Sequence, residues 1–317
     1  MEEKYIETLT KLLAANPTDV RLQERVVNAL AASGKAAMAK PIIDEAVRQN
    51  PGDPSLVRLQ WKIYLALKDW KAAVAIGEEM IKTDTAAADS GFFNALIAAY
   101  VNDSQPQKAA EAAAKGGAKF TKSATFPAAQ AQLLRQAGQL PAALSAIEKA
   151  ITLDSKNGGY YLQEAAIFTE MQQPDSTVAS LRMALENGAD KGTVGGMALS
   201  AGNQIFRKFN TSKDTTDLMH ALPIVMWADS VRSSPTSALL IGAISLSMAN
   251  ALVQEANTAK SCEMATRAGD LITEAQIALP KAAAEESNRA TVAQLMTSVQ
   301  TLSQYPERQK AAFCKKQ

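Results

Sequence analysis

Hydrophobic positions recur along the N-terminal part of the chain with the spacing of amphipathic helices. Between Pro17 and Pro51 two apolar stripes follow each other, formed by Leu22, Val26 and Leu30, and then by Ala39, Ile43 and Ala46. Residues three or four apart lie on one face of an α-helix, so each stripe predicts a helix with one buried face. Gly34 predicts the turn between them, and Pro51 predicts the end of the second helix, because the residue before a proline avoids helical angles. The segment therefore predicts a helix–turn–helix unit of 34 residues.

The same unit returns at nearly constant spacing. One small residue of the second helix shows the period, at Ala39, Ala73, Ala109, Ala143 and Thr177, which are separated by 34, 36, 34 and 34 residues. A two-helix unit cannot bury its apolar face alone, so successive units must stack on one another. Alternating runs of strand-forming residues are nearly absent. We therefore predict an all-α fold.

From residue 188 onward the period loosens and the predicted helices lengthen. A sixth pair is predicted by "MALSAGNQIFRKF" and "TDLMHALPIVMWADSV", and a seventh by "SPTSALLIGAISLSMANALV" and "CEMATRAGDLITEAQIALP", punctuated by Pro235 and Pro280. The last long stripe, "AEESNRATVAQLMTSVQTLSQY", predicts a capping helix, after which Pro306 and a short segment close the stack. Residues 1–16 predict a lone helix that caps the other end.

These elements predict two regions that are continuous with each other. Residues 1–191 carry the lone capping helix and about five regular pairs. Residues 192–317 carry the divergent pairs and the C-terminal capping helix.

The regular unit resembles the tetratricopeptide repeat. In that family a large residue is followed four positions later by a small one and then, after three more, by an aromatic one, while the second helix carries an alanine and ends at a proline. The segment "YYLQEAAIF" matches the first half with Tyr161, Ala165 and Phe168, and "AMAKPIIDEAVRQNP" matches the second half. The resemblance covers residues 17–187 in degenerate repeats of the bacterial type, and it is divergent to residue 280.

The sequence departs from the family's pattern at three positions. Trp61 stands where a small residue is usual, and Thr85 and Ser155 replace the terminal proline. The resemblance still implies the family's fold, a right-handed α-solenoid of stacked helix–turn–helix repeats with capping helices. In that fold the first helices of the repeats line a concave groove.

The resemblance also implies which side chains face the groove. They are basic in the first two units and richer in amides afterwards: Arg21, Arg25, Asn28, Arg58, Lys62, Asn94, Asn102, Gln132 and Arg135, with Gln163 and Glu170 in the fifth unit. Arg and Lys side chains bind carboxylates, and Asn and Gln side chains bond a peptide backbone. We therefore expect a protein or peptide partner. Arg58, Lys62 and Asn94 are out of register with the family's carboxylate clamp, and the alternative for each residue is a solvated polar surface without a ligand.

The charge balance argues against nucleic-acid binding, although it leaves a local basic patch open, and the longest uncharged stretch argues against a membrane span. The chain has 33 Lys and Arg against 32 Asp and Glu, a formal net charge of +1, which argues against a nucleic-acid partner. In the uncharged stretch 233–254 the central 16 residues, "ALLIGAISLSMANALV", are fewer than the roughly 20 that span a membrane. Ser245, Ser247 and Asn250 interrupt this stretch, so we predict a buried helix and no transmembrane segment.

The sequence lacks the motifs of an active site. It contains no P-loop, no HExxH and no GxSxG, and the glycine pairs 116–117, 158–159 and 195–196 are predicted at turns between helices. His220 is the single histidine, and with two cysteines it makes a zinc site improbable. We expect no enzyme activity, no cofactor and no metal. Trp227 is predicted to be either a core residue or an exposed anchor for a partner.

The two cysteines bear on where the protein resides. Cys262 begins the second helix of the last pair and Cys314 follows the capping helix after a reversal of the chain, so the two are able to meet in a disulfide. The alternative is two inert thiols. A disulfide implies an oxidising compartment, and the low charged fraction of 21% points the same way. We expect a periplasmic or exported protein, otherwise a cytoplasmic one. The start, "MEEKYIETLTKLL", is not a secretory leader, so a leader would precede this numbering.

Three functions are compatible with these patterns. The first is a non-enzymatic adaptor or scaffold that binds a protein partner through the concave groove within a larger assembly. The second is a structural subunit that uses its outer faces or ends, with self-association as one form. The third is a carrier of a small molecule or lipid in the apolar region 190–280.

Overall fold

The protein is entirely helical where its structure is described. The structure is a computed structural model that describes residues 2–83 and 88–314, and these residues form sixteen α-helices, one short 3-10 helix and no β-strand. The helices belong to two compact units, Met1–Ala150 and Ile151–Gln317. The predicted all-α fold of stacked helical pairs is confirmed.

The first unit consists of one single helix followed by helical pairs. Its helices are α1 (Glu2–Ala15), α2 (Val20–Ala32), α3 (Ala36–Gln49), α4 (Pro54–Ala66), α5 (Trp70–Thr83), α6 (Ser90–Asn102), α7 (Pro106–Lys119), α8 (Thr125–Gln136) and α9 (Leu140–Leu153), whose last three residues belong to the second unit. The predicted pairs are all present, with the first helix of each about 13 residues long. Thr85, which takes the place of a terminal proline, lies outside the described residues.

The turn inside each pair repeats one backbone conformation. The residue two positions after the first helix is left-handed in five successive pairs, at Gly34 (φ 73°), Lys68 (φ 58°), Ser104 (φ 59°), Gly138 (φ 72°) and Gln172 (φ 57°). Glycine adopts this conformation without strain, whereas a residue with a side chain pays about 1 kcal/mol or more. Three repeats accept this cost, which shows that the stacking of the pairs, and not the turn sequence, fixes the conformation.

Two equivalent polar contacts tie successive pairs of the first unit together. The Tyr64 hydroxyl on α4 lies 3.1 Å from both carboxylate oxygens of Asp44 on α3, and Lys40 lies 2.8 Å from the same carboxylate. One pair later the Tyr100 hydroxyl on α6 donates to Glu78 on α5 at 2.9 Å. We call these two contacts the tyrosine–carboxylate joints.

The joints change the ionisation of their members. Burial opposes ionisation of Asp44, but hydrogen bonds from Lys40, Gln60 and Tyr64 hold its pKa below the ordinary value. A hydrogen bond from Lys108, at 2.9 Å, likewise lowers the pKa of Glu78. Both carboxylates are therefore ionised at neutral pH and accept the tyrosine hydroxyls as anions, which strengthens the hydrogen bonds.

The second unit contains one regular pair followed by longer helices. Its elements are α10 (Gly158–Glu170), α11 (Pro174–Glu186), α12 (Lys191–Ser212), α13 (Thr215–Val231), α14 (Pro235–Ala259), α15 (Cys262–Ala282), a 3-10 turn (Glu286–Asn288) and α16 (Arg289–Phe313). The change from regular to lengthened pairs at Lys191 lies inside this unit.

Two prolines do not end their helices as predicted. Pro280 lies inside α15, and α16 continues past Pro306 to Phe313, so the expected short closing segment is helical. A proline inside a helix costs about 3 kcal/mol because it lacks a donor and crowds the preceding turn. Pro306 is buried between helices, and we infer that this packing outweighs the local cost.

Two of the three glycine pairs are not at turns. Gly116 and Gly117 lie inside α7, and Gly195 lies inside α12. A Cβ at Gly116 would lie 2.6 Å from the ring of Phe126, so this glycine is needed for close packing of α8 and not for a turn. Gly158 does begin a helix as predicted, and a Cβ there would lie only 2.7 Å from the backbone oxygen of Ala184.

The core of the second unit is built around α14. This helix contacts α13, α15 and α16, and its buried side chains include Ile244 and Ser245, each fully inaccessible. By length and composition α14 is the one helix of the described residues that qualifies as a membrane span, and 56% of its apolar stretch is buried inside the protein. The hydroxyl of Ser245 has no hydrogen-bond partner among the described residues, whereas the Ser247 hydroxyl donates to Ala243 at 2.8 Å.

Candidate functional site

An aromatic ladder fixes the spacing of the first helices in the first unit. Trp61 on α4 packs on Phe92 of α6 with ring centroids 4.7 Å apart, and Phe92 is followed by Phe93 at 5.7 Å. Phe93 then contacts Phe126 of α8 at 6.2 Å. Edge and offset contacts of this kind add stabilisation beyond the burial of the rings. The ladder therefore holds α4, α6 and α8 side by side as a rigid row.

A small residue makes room for the ladder. Trp61 occupies a position where tetratricopeptide repeats usually have a small residue, and its indole N–H donates to the backbone oxygen of Ala73 at 3.0 Å. The site facing it on α5 is Gly77, where a Cβ would lie 3.2 Å from the indole nitrogen and 2.8 Å from Leu96. The absence of a side chain at Gly77 therefore leaves room for the Trp61 indole.

Polar side chains on the first helices of the pairs are exposed to solvent. Five of the nine assigned groove residues are exposed and make no hydrogen bond or ion pair with any described residue: Arg21, Asn28, Lys62, Asn94 and Gln132. Helix α2 contacts α4, and the ladder places α4 next to α6 and α8, so these five side chains belong to adjacent helices. We call this set the exposed polar row.

The other assigned residues of the first unit have partners within the protein. Arg25 on α2 donates to the Tyr5 hydroxyl of α1 at 3.3 Å, and Arg58 lies 3.9 Å from Asp89, the residue that caps α6. The Asn102 side chain donates to a backbone oxygen of its own helix at 2.7 Å. Arg135 is half-buried and also interacts within the protein. Arg25 and Arg58 therefore connect elements of the fold, whereas Asn102 bonds within its own helix.

The residues assigned in the fifth pair belong to the second unit. Gln163 and Glu170 both lie on α10. The side-chain oxygen of Gln163 is buried without a hydrogen-bond partner among the described residues, while Glu170 is exposed. Gln163 therefore does not present its amide oxygen to solvent, and the row described above is confined to the first unit.

Cys262 and Cys314 form a disulfide in the structure, with their Cα atoms 4.9 Å apart. Helices α15 and α16 contact each other and are joined by a short 3-10 turn, so the bond closes the open end of this helical hairpin. Beside the bond the Gln309 side chain is 5% exposed and donates to the backbone oxygen of Val253 in α14 at 2.8 Å. The end of α16 is thus attached to both α15 and α14.

The remaining candidate residues are distributed over the second unit. His220 is exposed on α13 at the edge of a cavity, and Trp227 is half-buried with the Arg182 guanidinium 5.7 Å from its ring. Within the described residues, no group of three or more His, Cys, Asp or Glu side chains is arranged to hold a metal ion. The residue roles assigned from the sequence remain predictions.

The geometry of the pairs matches the pattern seen in the sequence. The five equivalent left-handed turns share the period of five fully or almost fully buried small residues, Ala39, Ala73, Ala109, Ala143 and Thr177. The repeats are TPR-like. Helices α4, α6 and α8 carry both the buried aromatic ladder and members of the exposed polar row.

Comparison with known proteins gives similarity to solved structures alone. No family model matches the chain. No curated protein matches it either. It is similar to YrrB, described as a TPR protein with an unusual peptide-binding site, at 16% identity over 60% of this chain and 96% of that one, with a TM-score of 0.48. MamA is 17% identical over 53% of this chain and 91% of its own, with a TM-score of 0.47. TTC0263, a thermophilic TPR protein in Thermus thermophilus, is 18% identical over 57% of this chain and 98% of its own, with a TM-score of 0.36.

The TPR-like pattern predicted nine polar groove residues in the first unit, of which five form the exposed polar row, but it did not predict the aromatic ladder. The signal for the ladder was the pair Phe92–Phe93 together with an out-of-place Trp61 and a glycine in the facing helix. Each is unremarkable alone, because an aromatic residue on a helix is usually a core residue. Their meeting depends on contacts between repeats, which the spacing within one repeat does not reveal.

Proposed function

We propose that the first unit is a non-enzymatic adaptor that binds a protein partner along the exposed polar row. The observation that supports this proposal is the row itself: five exposed polar side chains on adjacent rigid helices, without partners among the described residues. Side chains held on a rigid scaffold lose less entropy on binding than those on flexible loops. The row is therefore suited to bind a partner with little rearrangement.

The chemistry of the row suggests an extended segment with an acidic end. Arg21 and Lys62 lie on α2 and α4, whereas Asn94 and Gln132 lie on α6 and α8. The cations are suited to carboxylates and the amides to the N–H and C=O groups of an extended backbone. We propose that an acidic part of the partner lies over α2 and α4 and that its backbone continues over α6 and α8.

Photo-crosslinking tests where the partner lies. A photoreactive amino acid is placed at Lys62 on the row or at Lys71, an exposed lysine of α5 outside it, and cross-linked proteins from the native source are identified by mass spectrometry. We expect a discrete partner to cross-link at position 62 and not at position 71. Equal cross-linking at both positions would remove the row from the proposal.

Charge reversal then measures the contribution of the row with the purified partner. Lys62→Glu is expected to weaken binding by about tenfold or more, because it replaces an attractive contact by a repulsive one. Lys71→Glu makes the same change in net charge elsewhere and is expected to change the dissociation constant by less than about twofold. If the two variants weaken binding equally, the effect comes from net charge alone and the docking site is elsewhere.

We also propose that the protein works in an oxidising compartment, as a periplasmic or exported protein. The support is the Cys262–Cys314 disulfide, since disulfides between non-catalytic cysteines persist where the environment is oxidising. The test is to trap thiols in intact cells with acid and alkylate them with a maleimide polymer before and after reduction. Modification of both cysteines without prior reduction would contradict this location.

A further inference from the structure

A cavity opens in the second unit where a short helical pair meets a longer one. Helix α10 has 13 residues and α12 has 22, so α12 and α13 extend past the turn that joins α10 to α11. The space beside that turn, lined by residues of α11, α12 and the start of α13, has a volume of about 340 Å³. Ligand pockets begin at about 300 Å³, so this cavity holds a single side chain or a small molecule and not a lipid.

One part of the cavity is apolar. Pro174 at the start of α11 and the α12 residues Ala201 and Ile205 line it. Ala201 is 3% exposed, and Ile205 packs against the core clusters of the unit. This surface gives hydrocarbon a place to lie out of water.

Another part of the cavity is charged, and its charges do not cancel. Asp217 is 6% exposed and is bound on one oxygen by Lys208 at 3.0 Å and on the other by the Ser212 hydroxyl at 3.0 Å. Asp214, which caps α13 by accepting the Thr216 N–H at 3.0 Å, is exposed at the mouth. Hydrogen bonds from Thr216 lower the pKa of Asp214, so it is ionised at neutral pH.

The sign of the net charge decides which ligands fit. By formal charge the lining holds one lysine, Lys208, and two aspartates, Asp214 and Asp217, so one negative charge is in excess. An anionic ligand would meet this excess negative charge in a space partly shielded from water, where repulsion is stronger than in bulk solvent. A cation is attracted instead.

We propose that the cavity binds an aliphatic cation, an ammonium or guanidinium group on a short hydrocarbon chain. The chain lies along Pro174, Ala201 and Ile205, and the cationic group lies at the mouth beside Asp214. Lysine and arginine side chains place an apolar stem and a charged tip in this way. A free diamine presents the same chemistry. The site is in the second unit and is independent of the exposed polar row.

Calorimetric titration with small probes tests the class of ligand. The cationic probes are Nα-acetyl-lysine-N-methylamide, its arginine counterpart and cadaverine, and the uncharged analogue is Nα-acetyl-norleucine-N-methylamide. We expect the cations to bind with dissociation constants of about 1 mM or tighter and at least about tenfold more tightly than norleucine. Tighter binding of the amino-acid amides indicates a polypeptide side chain, and tighter binding of cadaverine indicates a free diamine. Equal binding of norleucine, or no saturable binding of any cation, would overturn the proposal.

A matched pair of cap variants locates the site. Asp214→Asn removes the charge but keeps the helix cap, since asparagine caps as well as aspartate, and it is expected to weaken cation binding by about tenfold. Asp190→Asn makes the same change at the cap of α12, where Asp190 accepts the Thr193 N–H at 2.8 Å outside the cavity, and is expected to leave binding unchanged. If the two variants bind equally, the cavity is not the site.

A second variant keeps the proposal testable if the Asp214→Asn protein does not fold. His220 is exposed at the edge of the cavity and takes part in no helix cap, so His220→Lys adds a positive charge there without removing a structural contact. We expect it to weaken binding of every cationic probe while leaving the thermal unfolding midpoint unchanged. Unchanged affinity in a folded His220→Lys protein would count against a cation bound at this mouth.

Discussion

Loss of the Cys262–Cys314 disulfide is expected to destabilise the second unit while leaving the first unit unaffected. The bond joins residues 52 apart in sequence, and the chain has no other cysteines. Removing such a cross-link returns conformational entropy to the unfolded chain. The perturbation is either reduction of the wild-type protein or the double variant Cys262→Ala/Cys314→Ala.

The expected magnitude follows from the length of the closed loop. For a loop of 52 residues the chain-entropy relation gives about 14 cal/mol/K, or about 4 kcal/mol at 25 °C. This is an upper value, because measured disulfide contributions commonly fall between about 2 and 4 kcal/mol. The bond also holds the end of α16, where Gln309 contacts the backbone of Val253, so loss of order should begin there.

Two measurements detect the loss of stability that we expect when the disulfide is removed. Urea unfolding monitored by circular dichroism, with and without a phosphine reductant, gives the change in the free energy of unfolding. Hydrogen exchange read by mass spectrometry shows where protection is lost, and we expect it in the last turns of α16 and the first turn of α15, with α2 to α8 unchanged. The double variant serves as the control, since the reductant should have no effect on it.

Two outcomes would refute this reasoning. If reduction changes the free energy of unfolding by less than about 0.5 kcal/mol, the cross-link does not restrict the unfolded chain as the entropy relation requires. If reduction lowers protection in the first unit as much as in α16, the bond acts on the whole chain and not on the open end of one hairpin.

Three further substitutions, two of them with a matched control, test contacts of the fold. Gly158→Ala should cost more than about 2 kcal/mol, because its Cβ would meet backbone atoms that have no room to move, whereas Gly196→Ala, with nothing within 4 Å, should gain about 1 kcal/mol from helix propensity. Ser245→Ala should stabilise the protein by about 1 kcal/mol because it removes a buried unpaired hydroxyl, while Ser247→Ala should be nearly neutral. Asp44→Asn should cost about 1 kcal/mol at pH 7, a value reduced by partial exposure of the carboxylate. That difference should shrink as the pH falls below about 3.9, because the lowered pKa of Asp44 makes its contribution one that protonation removes.

The same unfolding measurements can contradict each expectation. Equal stability of Gly158→Ala and Gly196→Ala would show that the backbone around position 158 adapts. A Ser245→Ala protein less stable than Ser247→Ala would show that the buried hydroxyl has a partner. A difference in the free energy of unfolding between wild type and Asp44→Asn that stays constant as the pH is lowered would be a third contradiction. That result would show that the carboxylate does not stabilise the joint through its charge.

The helix pairs up to residue 187 could be predicted from the sequence because the apolar spacing repeats and several boundaries have a local signal. Asp19, Asp53 and Asp89 cap the starts of α2, α4 and α6, and Gly34 adopts the left-handed turn that its lack of a side chain favours. Such signals act within one or two turns of helix. Local sequence therefore contains these signals, whereas the left-handed turns at Lys68, Ser104 and Gln172 depend on the stacking of the pairs.

The lengthened helices were harder to predict because their ends depend on packing. Pro306 has a local cost that predicts a break, and the gain that outweighs this cost comes from burial against helices distant in sequence. Gly116 is a second case in which packing, and not the local sequence, decides the structure. A glycine pair predicts a turn, whereas the reason for a glycine at this position inside α7 is the ring of Phe126 on the next helix.

In the candidate sites, too, the exposure of single residues could be predicted from the sequence, whereas contacts between repeats could not. The resemblance to the repeat family predicted that Arg21, Lys62 and Asn94 face a groove, and all three are exposed in the structure. Register did not predict that Arg58 lies near the cap of the following helix, because that contact joins two repeats. The cavity beside Asp214 had no sequence signal either, since it arises from a difference in length between neighbouring helices.

The tyrosine–carboxylate joints make neighbouring repeats of the first unit interchangeable parts. Asp44 meets Tyr64 as Glu78 meets Tyr100, so the interface between α3 and α4 has the same chemistry as the interface between α5 and α6. Deleting residues 54–89 would join Asp53 to α6, replacing one aspartate cap by another and bringing Asp44 opposite Tyr100. The pair formed by α4 and α5 can therefore be removed as a whole module while one tyrosine–carboxylate joint is kept.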